Sequence, residues 1–485
     1  MRTASLLILV CCVLFACAAP TALRSSSVDG AMPSLAQPES GDELVGIAIS
    51  GGGSRAATFA SYVLEELARI DVGRDAPASM LERVQYISSV SGGSLSAAYY
   101  SMTKPDKSEP VLGSDGLSLA YQRFFQNYHT AMQSSWEEAL WQVSLGDATR
   151  RAEFIAKKWD QELFHDATFS DLRKREDNGD TPRLILNGTS WDYGRRVVFT
   201  TLPDSAFEYD FVSETVAYLK SSGMAENEFD ILKARMQPEA PRFQPITFDQ
   251  LGADIGPLRV SAAVASSSSV PLLIGPVLFT VPMKDGSTQL LHIGDGGMFD
   301  NQGIESMAQL MFGKLRTKAG EQPSPRRGLV VLIDASYPFD GSGGLLSEAK
   351  SLLQLLDRSP SRVYDIMEQR AQAYQLMLWT VLRADAARRD AQAAGKATEG
   401  QVVPDTKHLR VIYLRHTDAA ASMQVPAGCD VTGTGEERVT QLRAKLSRIP
   451  TRFKIDSKCD APMLAAAAKA LVAQERTRIL EFFER

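Results

Sequence analysis

The sequence predicts an α/β fold in which a mainly parallel central sheet is covered by helices on both faces. Short apolar runs that fit buried strands alternate with segments of helical periodicity along most of the chain. The first two runs, residues 44–49 and 84–90, each lead through glycines into a segment with helical periodicity. Strands that are apolar along their whole length are typical of parallel sheets with both faces buried.

Six further runs have the length and composition of strands, and three long segments lie among them. The runs are residues 184–186, 197–200, 258–261, 290–293, 329–333 and 409–414. Segments 103–180 and 203–257 are largely polar or helical, and we interpret them as insertions that cover a site. The apolar residues of segment 345–395 recur at helical spacing, which fits packing on the sheet or a surface that faces a membrane.

Composition narrows the classes of function. The chain of 485 residues is 44% hydrophobic and 23% charged, which is ordinary for a folded globular protein. Its 52 basic and 58 acidic residues give a formal net charge of -6, so no nucleic-acid partner is expected, because such partners favour a basic protein. Histidine and cysteine do not recur at the spacing of metal ligands, and we expect no metal or other cofactor.

The N-terminal residues are typical of an export signal. Arg2 precedes an apolar run at residues 6–15 that is followed by small residues and is too short for an ordinary membrane span. Residues 14–17, Leu-Phe-Ala-Cys, resemble a bacterial lipobox, in which Cys17 is lipidated and becomes the mature N-terminus. The alternative is ordinary cleavage after Ala18. Both predict a protein outside the cytoplasm, in the periplasm or cell envelope, and lipidation would anchor it to a membrane.

Two further features fit an exported chain. Residues 18–43 are rich in Ser, Ala, Pro and Gly without apolar periodicity, so we expect a flexible tether before a domain that begins at Leu44. Beyond the targeting segment, residues 1–17, the chain has two cysteines, Cys429 and Cys459. An even pair in an oxidising compartment fits a disulfide, and two buried free thiols are the alternative.

A glycine loop follows the first predicted strand and precedes a helix. It consists of Gly51, Gly52 and Gly53, and Arg55 stands two positions further on. Free N–H groups at the start of a helix favour negative charge, so the loop fits an oxyanion hole for an attacked ester. The glycine spacing also fits a dinucleotide site, but that site requires a carboxylate at the end of the next strand, where residues 88–91 contain none. The oxyanion hole is therefore favoured.

A candidate nucleophile, Ser91, follows the second predicted strand and precedes Gly92 and Gly93. A serine in a sharp turn between a strand and a helix needs very small neighbours, because the chain bends tightly there. Ser89 stands where such turns usually have their first glycine. We expect Ser89 to strain this elbow without preventing it.

A candidate base, Asp295, lies between glycines after the predicted strand 290–293. Aspartate between glycines is common in tight turns. A carboxylate at the carboxyl edge of the sheet can also accept the proton of Ser91. His292 is the competing base, but residues three apart in a strand point to opposite faces, so His292 and Asp295 should not both face the site.

The ordered combination of Gly-Gly-Gly-x-Arg, the serine elbow and Asp-Gly-Gly resembles the patatin-like phospholipases. The resemblance extends over residues 44–336, with similar stretches at 265–276 and 449–453. It implies a three-layer α/β/α fold and a Ser–Asp dyad without a catalytic histidine, here Ser91 and Asp295. It also implies that the oxyanion hole comprises the glycine loop and Arg55.

We therefore expect a serine lipid acyl hydrolase, of the phospholipase A or lysophospholipase type, that forms an acyl-serine intermediate. A membrane phospholipid is the expected substrate, and another fatty acyl ester is the alternative. An acyltransferase with the same dyad and a catalytically silent lipoprotein scaffold are rival functions. Residues 44–340 would form the catalytic core, and residues 341–485 a mainly helical extension that completes it.

Overall fold

A nine-stranded sheet lies between two layers of helices. The computed structural model describes residues 21–22, 24–25, 43–137, 148–221, 224–271, 274–282, 287–315, 327–336, 371, 373–374 and 409–484. The strands are β1 (Thr21–Ala22), β2 (Arg24–Ser25), β3 (Glu43–Ile49), β4 (Tyr86–Val90), β5 (Leu112–Gly113), β6 (Gly116–Leu117), β7 (Arg183–Ser190), β8 (Arg195–Thr200), β9 (Ala253–Asp254), β10 (Val277–Pro282), β11 (Thr288–Asp295), β12 (Arg327–Asp334) and β13 (Leu409–Arg415).

Five strands of the large sheet form a parallel block. The sheet order is β1-β10-β11-β7-β4-β3-β12-β13, with β8 paired to β7. Strands β7, β4, β3, β12 and β13 run parallel to one another. Strands β8 and β11 are antiparallel to β7, and β10 is antiparallel to β11. The predicted three-layer fold with a mainly parallel sheet is confirmed.

The helices pack on both faces of the sheet. They are α1 (Gly53–Ala68), α2 (Gly92–Thr103), α3 (Leu119–Met132), α4 (Ala148–Trp159), α5 (Phe169–Asp177), α6 (Phe211–Ser221), α7 (Glu226–Met236), α8 (Ala240–Phe243), α9 (Val260–Ser267), α10 (Gly297–Asp300), α11 (Ile304–Leu315), α12 (Gly435–Ser447) and α13 (Asp460–Phe483). Because strand side chains alternate between faces, Ile47 contributes to the core shared with α1, α2, α9 and α13, whereas Leu44 and Ala48 pack against α11.

The strand predicted at residues 258–261 is wrong, because α9 begins at Val260. Val260, Ala263 and Val264 recur at helical spacing and are all buried, so the helical period decides the structure of this short apolar run. Strand β10 has no counterpart among the predicted strands. Its side chains alternate between buried and half-buried and it ends at a proline, a pattern typical of an outer strand.

Short pieces of the predicted tether pair with the domain. Strand β1 runs parallel to β10, and β2 is antiparallel to β9, so these four residues belong to sheets. The unpaired edge of β10 explains the first pairing, because an edge strand offers free N–H and C=O groups. The rest of residues 18–42, the predicted signal segment with Cys17 and most of segment 345–395, for which the sequence predicts helices, lie outside the described residues.

An insertion within the family-like region and the C-terminal part of the chain both join the main core. From segment 103–180, the side chains of Phe125, Trp159 and Leu172 pack into the core beneath α1 and α2. Residues 409–484 add β13 to the sheet edge and α13 against α1. In the part of the chain that the structure describes, no helix has the length and hydropathy of a membrane span.

A disulfide joins the two cysteines of the C-terminal part. Cys429 and Cys459 are bonded, with their Cα atoms 5.5 Å apart and a sequence separation of 30. The bridge closes a loop that contains α12 and ends at Cys459, directly before α13. Closing such a loop restricts the unfolded chain, so the bridge should stabilise the fold.

We expect the double substitution Cys429→Ser/Cys459→Ser to lower the free energy of unfolding by about 3.5 kcal/mol, the chain-entropy value for a loop of this length. Urea unfolding of the variant and of the oxidised wild type measures the difference. Wild type in excess reductant should unfold like the variant. Equal unfolding midpoints for the variant and the oxidised wild type would contradict the prediction.

Candidate active site

Two strands end against each other on one edge of β7. Strand β4 runs parallel to β7 and ends with Val90 opposite Asn187. Strand β11 runs antiparallel to β7 and ends with Asp295 opposite Gly188. Because β8 occupies the other edge of β7 at these positions, β4 and β11 approach head to head along a single edge. The topology therefore brings Asp295 beside Ser91, the residue after Val90.

Ser91 holds a strained backbone conformation between β4 and α2. Its φ of 53° and ψ of −126° lie in a region that residues with a side chain rarely adopt. Its carbonyl accepts hydrogen bonds from the N–H groups of Ser94 (2.8 Å) and Leu95 (3.2 Å), which start α2. This is the geometry of a nucleophile elbow, with the side chain at the positive end of a 12-residue helix.

Glycines let the elbow and the glycine loop approach each other closely. A Cβ on Gly92 would lie 2.0 Å from the carbonyl oxygen of Gly53, and one on Gly93 would lie 2.4 Å from that of Ser50. A Cβ on Gly51 would lie 3.3 Å from the Cβ of Ser91. The loop after β3 thus lies directly against the candidate nucleophile.

The N–H groups of the glycine loop divide into two kinds. Gly51 donates to the carbonyl of Asn301 (2.8 Å), and Ser54 donates to the carbonyl of Arg452 (2.7 Å). Within the described ranges, no group accepts from the N–H of Gly52 or Gly53. Both of these glycines have positive φ, 137° and 58°, which turns the chain into α1. Gly51 therefore anchors the loop, while Gly52 and Gly53 are the candidate donors to an oxyanion.

Arg55 supports the loop from below. Its side chain is fully buried, with Nε donating to the carbonyl of Ala335 (2.8 Å) and Nη1 to that of Ile449 (2.6 Å). Arg55 is therefore bound to the main chain of two distant segments at the base of the loop. This position favours a role in holding the loop over direct contact with a substrate oxygen.

Asp295 is also held in place by hydrogen bonds. It is 2% exposed, and its Oδ1 accepts from the N–H of Gly297 (2.7 Å). Its own N–H donates to the carbonyl of Ser269 (3.0 Å), and its carbonyl accepts from the Oγ of Thr189 (2.9 Å). Main-chain and side-chain bonds thus fix the carboxylate at the end of β11.

Residues 267–269 connect the two candidate catalytic residues. The Oγ of Ser267 accepts from the N–H of Ser91 (3.0 Å), and the carbonyl of Ser267 accepts from the N–H of Gly296 (3.2 Å). The Oγ of Ser267 in turn donates to the carbonyl of Asn187 on β7 (2.6 Å). One fully buried serine therefore binds the elbow, the aspartate turn and the strand on which both end.

Ser89 lies in regular strand, and its hydroxyl belongs to a buried series of serines. It is 3.2 Å from the Oγ of Ser94, which is 2.8 Å from the Oγ of Ser267. Positive φ occurs at Ser91 and not at Ser89, so the backbone strain of the elbow lies at the candidate nucleophile itself. The backbone bends after Val90, and the space beside Ser89 accommodates a hydroxymethyl group that has hydrogen-bond partners.

Asn187 is a site residue that the sequence motifs do not reveal. Its Nδ2 donates to the Oγ of Ser88 (3.0 Å) and to the carbonyl of Ser89 (2.9 Å), and its Oδ1 accepts from the Oγ of Ser306 (2.6 Å). The one available signal is a polar residue within an apolar strand, directly before Gly188. Its side chain joins β4 and α11 beneath the site.

A buried polar group lies behind the aspartate turn. Asp300 accepts from the N–H groups of Gln302 (3.1 Å) and Glu305 (2.7 Å), and burial raises the pKa of its carboxyl. Burial also raises the pKa of Glu305 to about 7, with the guanidinium of Arg196 3.6 Å away opposing the shift. These contacts fix residues 300–305, and hence the Asn301 carbonyl that holds Gly51.

A second buried carboxylate, Asp334, lies at the end of β12. Burial raises its pKa, but the Arg415 guanidinium (3.2 Å) and hydrogen bonds from Ser336 and Tyr413 outweigh burial and lower it. The adjacent Ala335 donates its N–H to the Oγ of Ser50 (2.8 Å). Asp334 thus stabilises the strand end on which the glycine loop rests.

The histidine that competed for the role of base is engaged elsewhere. The Nδ1 of His292 is 3.0 Å from the Oδ1 of Asp192, on a partly exposed surface. A hydrogen-bonded series of Ser61, His129 and Glu65 also has the residue types of a catalytic triad. Ser61, however, is fully buried within α1 and bonds to the carbonyl of Thr58 (2.8 Å), so no substrate can reach it.

No metal site accompanies these residues in the described part of the chain, since no three His, Cys, Asp or Glu side chains there converge on one point. The arrangement is a strained serine at a helix N-terminus, a fixed carboxylate beside it and a glycine loop with two unengaged N–H groups. Chemically, such a group can carry out acyl transfer through a serine nucleophile.

Several solved structures are similar to the chain. Human GIVD cytosolic phospholipase A2 has a TM-score of 0.41 and 14% identity, with 91% of this chain and 60% of that chain covered. The structure of its complex with methyl gamma-linolenyl fluorophosphonate has a TM-score of 0.41 and 15% identity, with 91% of this chain and 58% of that chain covered. VipD from Legionella pneumophila has a TM-score of 0.24 and 10% identity, with 83% of this chain and 65% of that chain covered. The chain thus spans about 60% of the length of the human protein.

The comparison with family models is the decisive one. No curated protein matches the chain. The model of the patatin-like phospholipases matches residues 47–308, more than half of the chain. This range contains the glycine loop, the elbow at Ser91 and the turn at Asp295. The chain therefore belongs to the patatin-like phospholipase family.

Proposed function

We propose that this protein is a serine lipid acyl hydrolase in which Ser91 is the nucleophile and Asp295 the base. The observation that carries the proposal is the strained Ser91 at the end of β4, which meets the end of β11 at Asp295 on one edge of β7. Backbone strain of about 1–3 kcal/mol persists only where surrounding contacts enforce it, and such strain is frequent at active sites. Family membership supports the same chemistry.

The proposed reaction has two steps. Asp295 accepts the proton of the Ser91 hydroxyl while Oγ attacks the ester carbonyl, and collapse of the tetrahedral intermediate expels the alcohol with that proton. Water, deprotonated by the same carboxylate, then attacks the acyl-serine and releases the fatty acid. The serine and the carboxylate are regenerated, so the reaction needs no cofactor.

The glycine loop would stabilise the tetrahedral intermediate. The N–H groups of Gly52 and Gly53 are free of acceptors within the described ranges, and the N–H of Gly92 follows the nucleophile at the start of α2. The residue after the nucleophile commonly donates to the oxyanion in hydrolases with such an elbow. Donors held in advance stabilise developing charge without reorganisation, so the fixed loop should contribute to the rate.

The substrate proposed is a membrane phospholipid, or another fatty acyl ester, of an envelope outside the cytoplasm. The export signal and the lipobox-like residues 14–17 support this location, because a lipid at Cys17 would hold the enzyme beside its substrate. An acyltransferase would use the same dyad with an alcohol in place of water. A silent scaffold would have no use for the strained serine.

The dyad can be tested with a fluorophosphonate probe and a fatty acyl ester. We expect Ser91→Ala to abolish both labelling and hydrolysis, and Asp295→Asn to lower kcat at least about 100-fold, because general-base catalysis contributes that much. His292→Ala should retain both properties and is the matched control for the base. An unlabelled wild type without ester turnover would favour the scaffold, and acyl transfer to added alcohol exceeding hydrolysis would favour the acyltransferase.

Ser267 should position the nucleophile without touching the substrate. Ser267→Ala leaves the N–H of Ser91 without its acceptor, and a misplaced nucleophile should lower kcat about 10- to 100-fold with little change in KM. Ser266→Ala is the matched control, because Ser266 is equally buried and, among the described residues, its hydroxyl donates to the carbonyl of Ala262 alone (2.8 Å).

Two readouts separate positioning by Ser267 from a general loss of stability. The rate of fluorophosphonate labelling should fall together with kcat, while the thermal midpoint falls no more than in Ser266→Ala. Ser267→Thr, which keeps the hydroxyl, should recover part of the labelling rate. Labelling of Ser267→Ala at the wild-type rate would refute the positioning role.

The lipid anchor has its own test. We expect Cys17→Ser to move the protein from the membrane fraction to the soluble fraction, because the acylated cysteine is lost. Ala18→Ser is the control at the alternative cleavage site and should remain with membranes. Unchanged fractionation of Cys17→Ser would contradict lipidation at this cysteine.

A further inference from the structure

We propose that residues 438–458, called the basic segment below, bind the anionic headgroups of a phospholipid surface and so bring that surface to the active site. This inference rests on the proposed function, because it assigns a purpose to a surface beside the proposed site. The basic segment contains seven basic residues and one carboxylate, Asp456, a formal charge of +6 in a chain of net charge -6. The basic residues are Arg438, Arg443, Lys445, Arg448, Arg452, Lys454 and Lys458.

Most of these charges face solvent. Arg438 and Lys445 are half-buried, and the other five are exposed. In the described ranges, none of the five forms an ion pair with a carboxylate, in contrast to Arg183, which binds both Glu176 and Asp177. Five like charges that form no ion pair within the described residues repel one another, so their concentration in one segment favours an anionic partner.

The basic segment adjoins the glycine loop. The carbonyl of Arg452 accepts the N–H of Ser54 (2.7 Å), and the carbonyl of Ile449 accepts from Nη1 of Arg55 (2.6 Å). A Cβ on Gly53 would lie 2.5 Å from the carbonyl oxygen of Arg452. The exposed side chain of Arg452 therefore leaves the main chain beside Gly53, and that of Arg448 adjoins the residue that binds Arg55 at the base of the loop.

The fold presents the basic segment in a fixed conformation. The disulfide between Cys429 and Cys459 encloses it, and Leu442, Leu446 and Ile449 anchor it in the core. The apolar side chains thus point inward while the cationic ones remain in water. Because the main chain of the basic segment is already ordered, binding loses little conformational entropy, and more of the electrostatic attraction contributes to affinity.

Helix electrostatics explain only part of the pattern. Lys445, in the last turn of α12, complements the helix dipole, and Arg443 faces the carboxylate of Asp418. Arg452, Lys454 and Lys458 lie beyond the helix, where the dipole provides no stabilisation. Charge complementarity with a phosphate-bearing surface accounts for these three, and it places the ester of the same lipid near Ser91.

The test measures binding of the full chain to vesicles. Ser91→Ala prevents turnover and Cys17→Ser removes the lipid anchor, so both substitutions form the background. We expect cosedimentation with phosphatidylcholine vesicles that contain 30% phosphatidylglycerol, at least about 10-fold weaker binding to pure phosphatidylcholine, and weaker binding at high salt. Arg448→Glu/Arg452→Glu should weaken binding to the anionic vesicles about 30-fold or more, since each basic residue near such a surface contributes about 1 kcal/mol.

Arg123→Glu/Arg235→Glu is the matched control. These exposed arginines on α3 and α7 form no ion pair within the described residues, and reversing them changes the net charge equally. The control should bind anionic vesicles nearly as well as the background chain. Equal binding to both kinds of vesicle, or equal loss in the two charge-reversed pairs, would overturn the proposal. Because a chain without turnover is used, loss of the proposed enzymatic function would leave this result unaffected.

Discussion

The meeting of β4 and β11 on one edge of β7 is the constraint on which the site depends. The two strands run in opposite directions and stop at adjacent residues of β7, Asn187 and Gly188. A slip of one residue in either strand would move Ser91 or Asp295 by about 3.3 Å along β7 and turn its side chain to the other face of the sheet. Pairing with β8 on the far edge and with β3 beside β4 holds this register.

The strained elbow is stabilised by a small polar core beneath it. Ser91 cannot place its N–H in the ladder of β4, and Ser267 accepts that hydrogen bond. The hydroxyls of Ser89, Ser94 and Ser267 can then donate in sequence, ending at the carbonyl of Asn187. Each such bond contributes about 1 kcal/mol, so a few of them are comparable with the backbone strain. With glycine at position 89 the first hydroxyl would be missing, and the series would begin at Ser94.

Features that depend on neighbouring residues can be predicted from the sequence, whereas contacts between residues far apart in the chain cannot. The strand–glycine–helix order around Ser91 is local, so the parallel strands and the elbow can be predicted from neighbouring residues. The contact of Ser91 with Ser267 joins residues 176 positions apart, and no local pattern encodes it. The strand predicted at residues 258–261 is wrong although its signal is local, because four residues are too few to distinguish a strand from the first turn of a helix, here α9. Arg55 belongs to the predicted loop, but its role depends on two distant carbonyls.

Those distant carbonyls show that the family region does not form the site by itself. The glycine loop is held at Gly51 by Asn301, which lies within residues 47–308. It is also held at Ser54 by Arg452 and at Arg55 by Ala335 and Ile449, all outside that region. A fragment that ends at residue 308 would retain Ser91 and Asp295 but would lack the carbonyls of Ala335, Ile449 and Arg452, which accept hydrogen bonds from the loop. The loop that faces the nucleophile therefore depends on the C-terminal part of the chain.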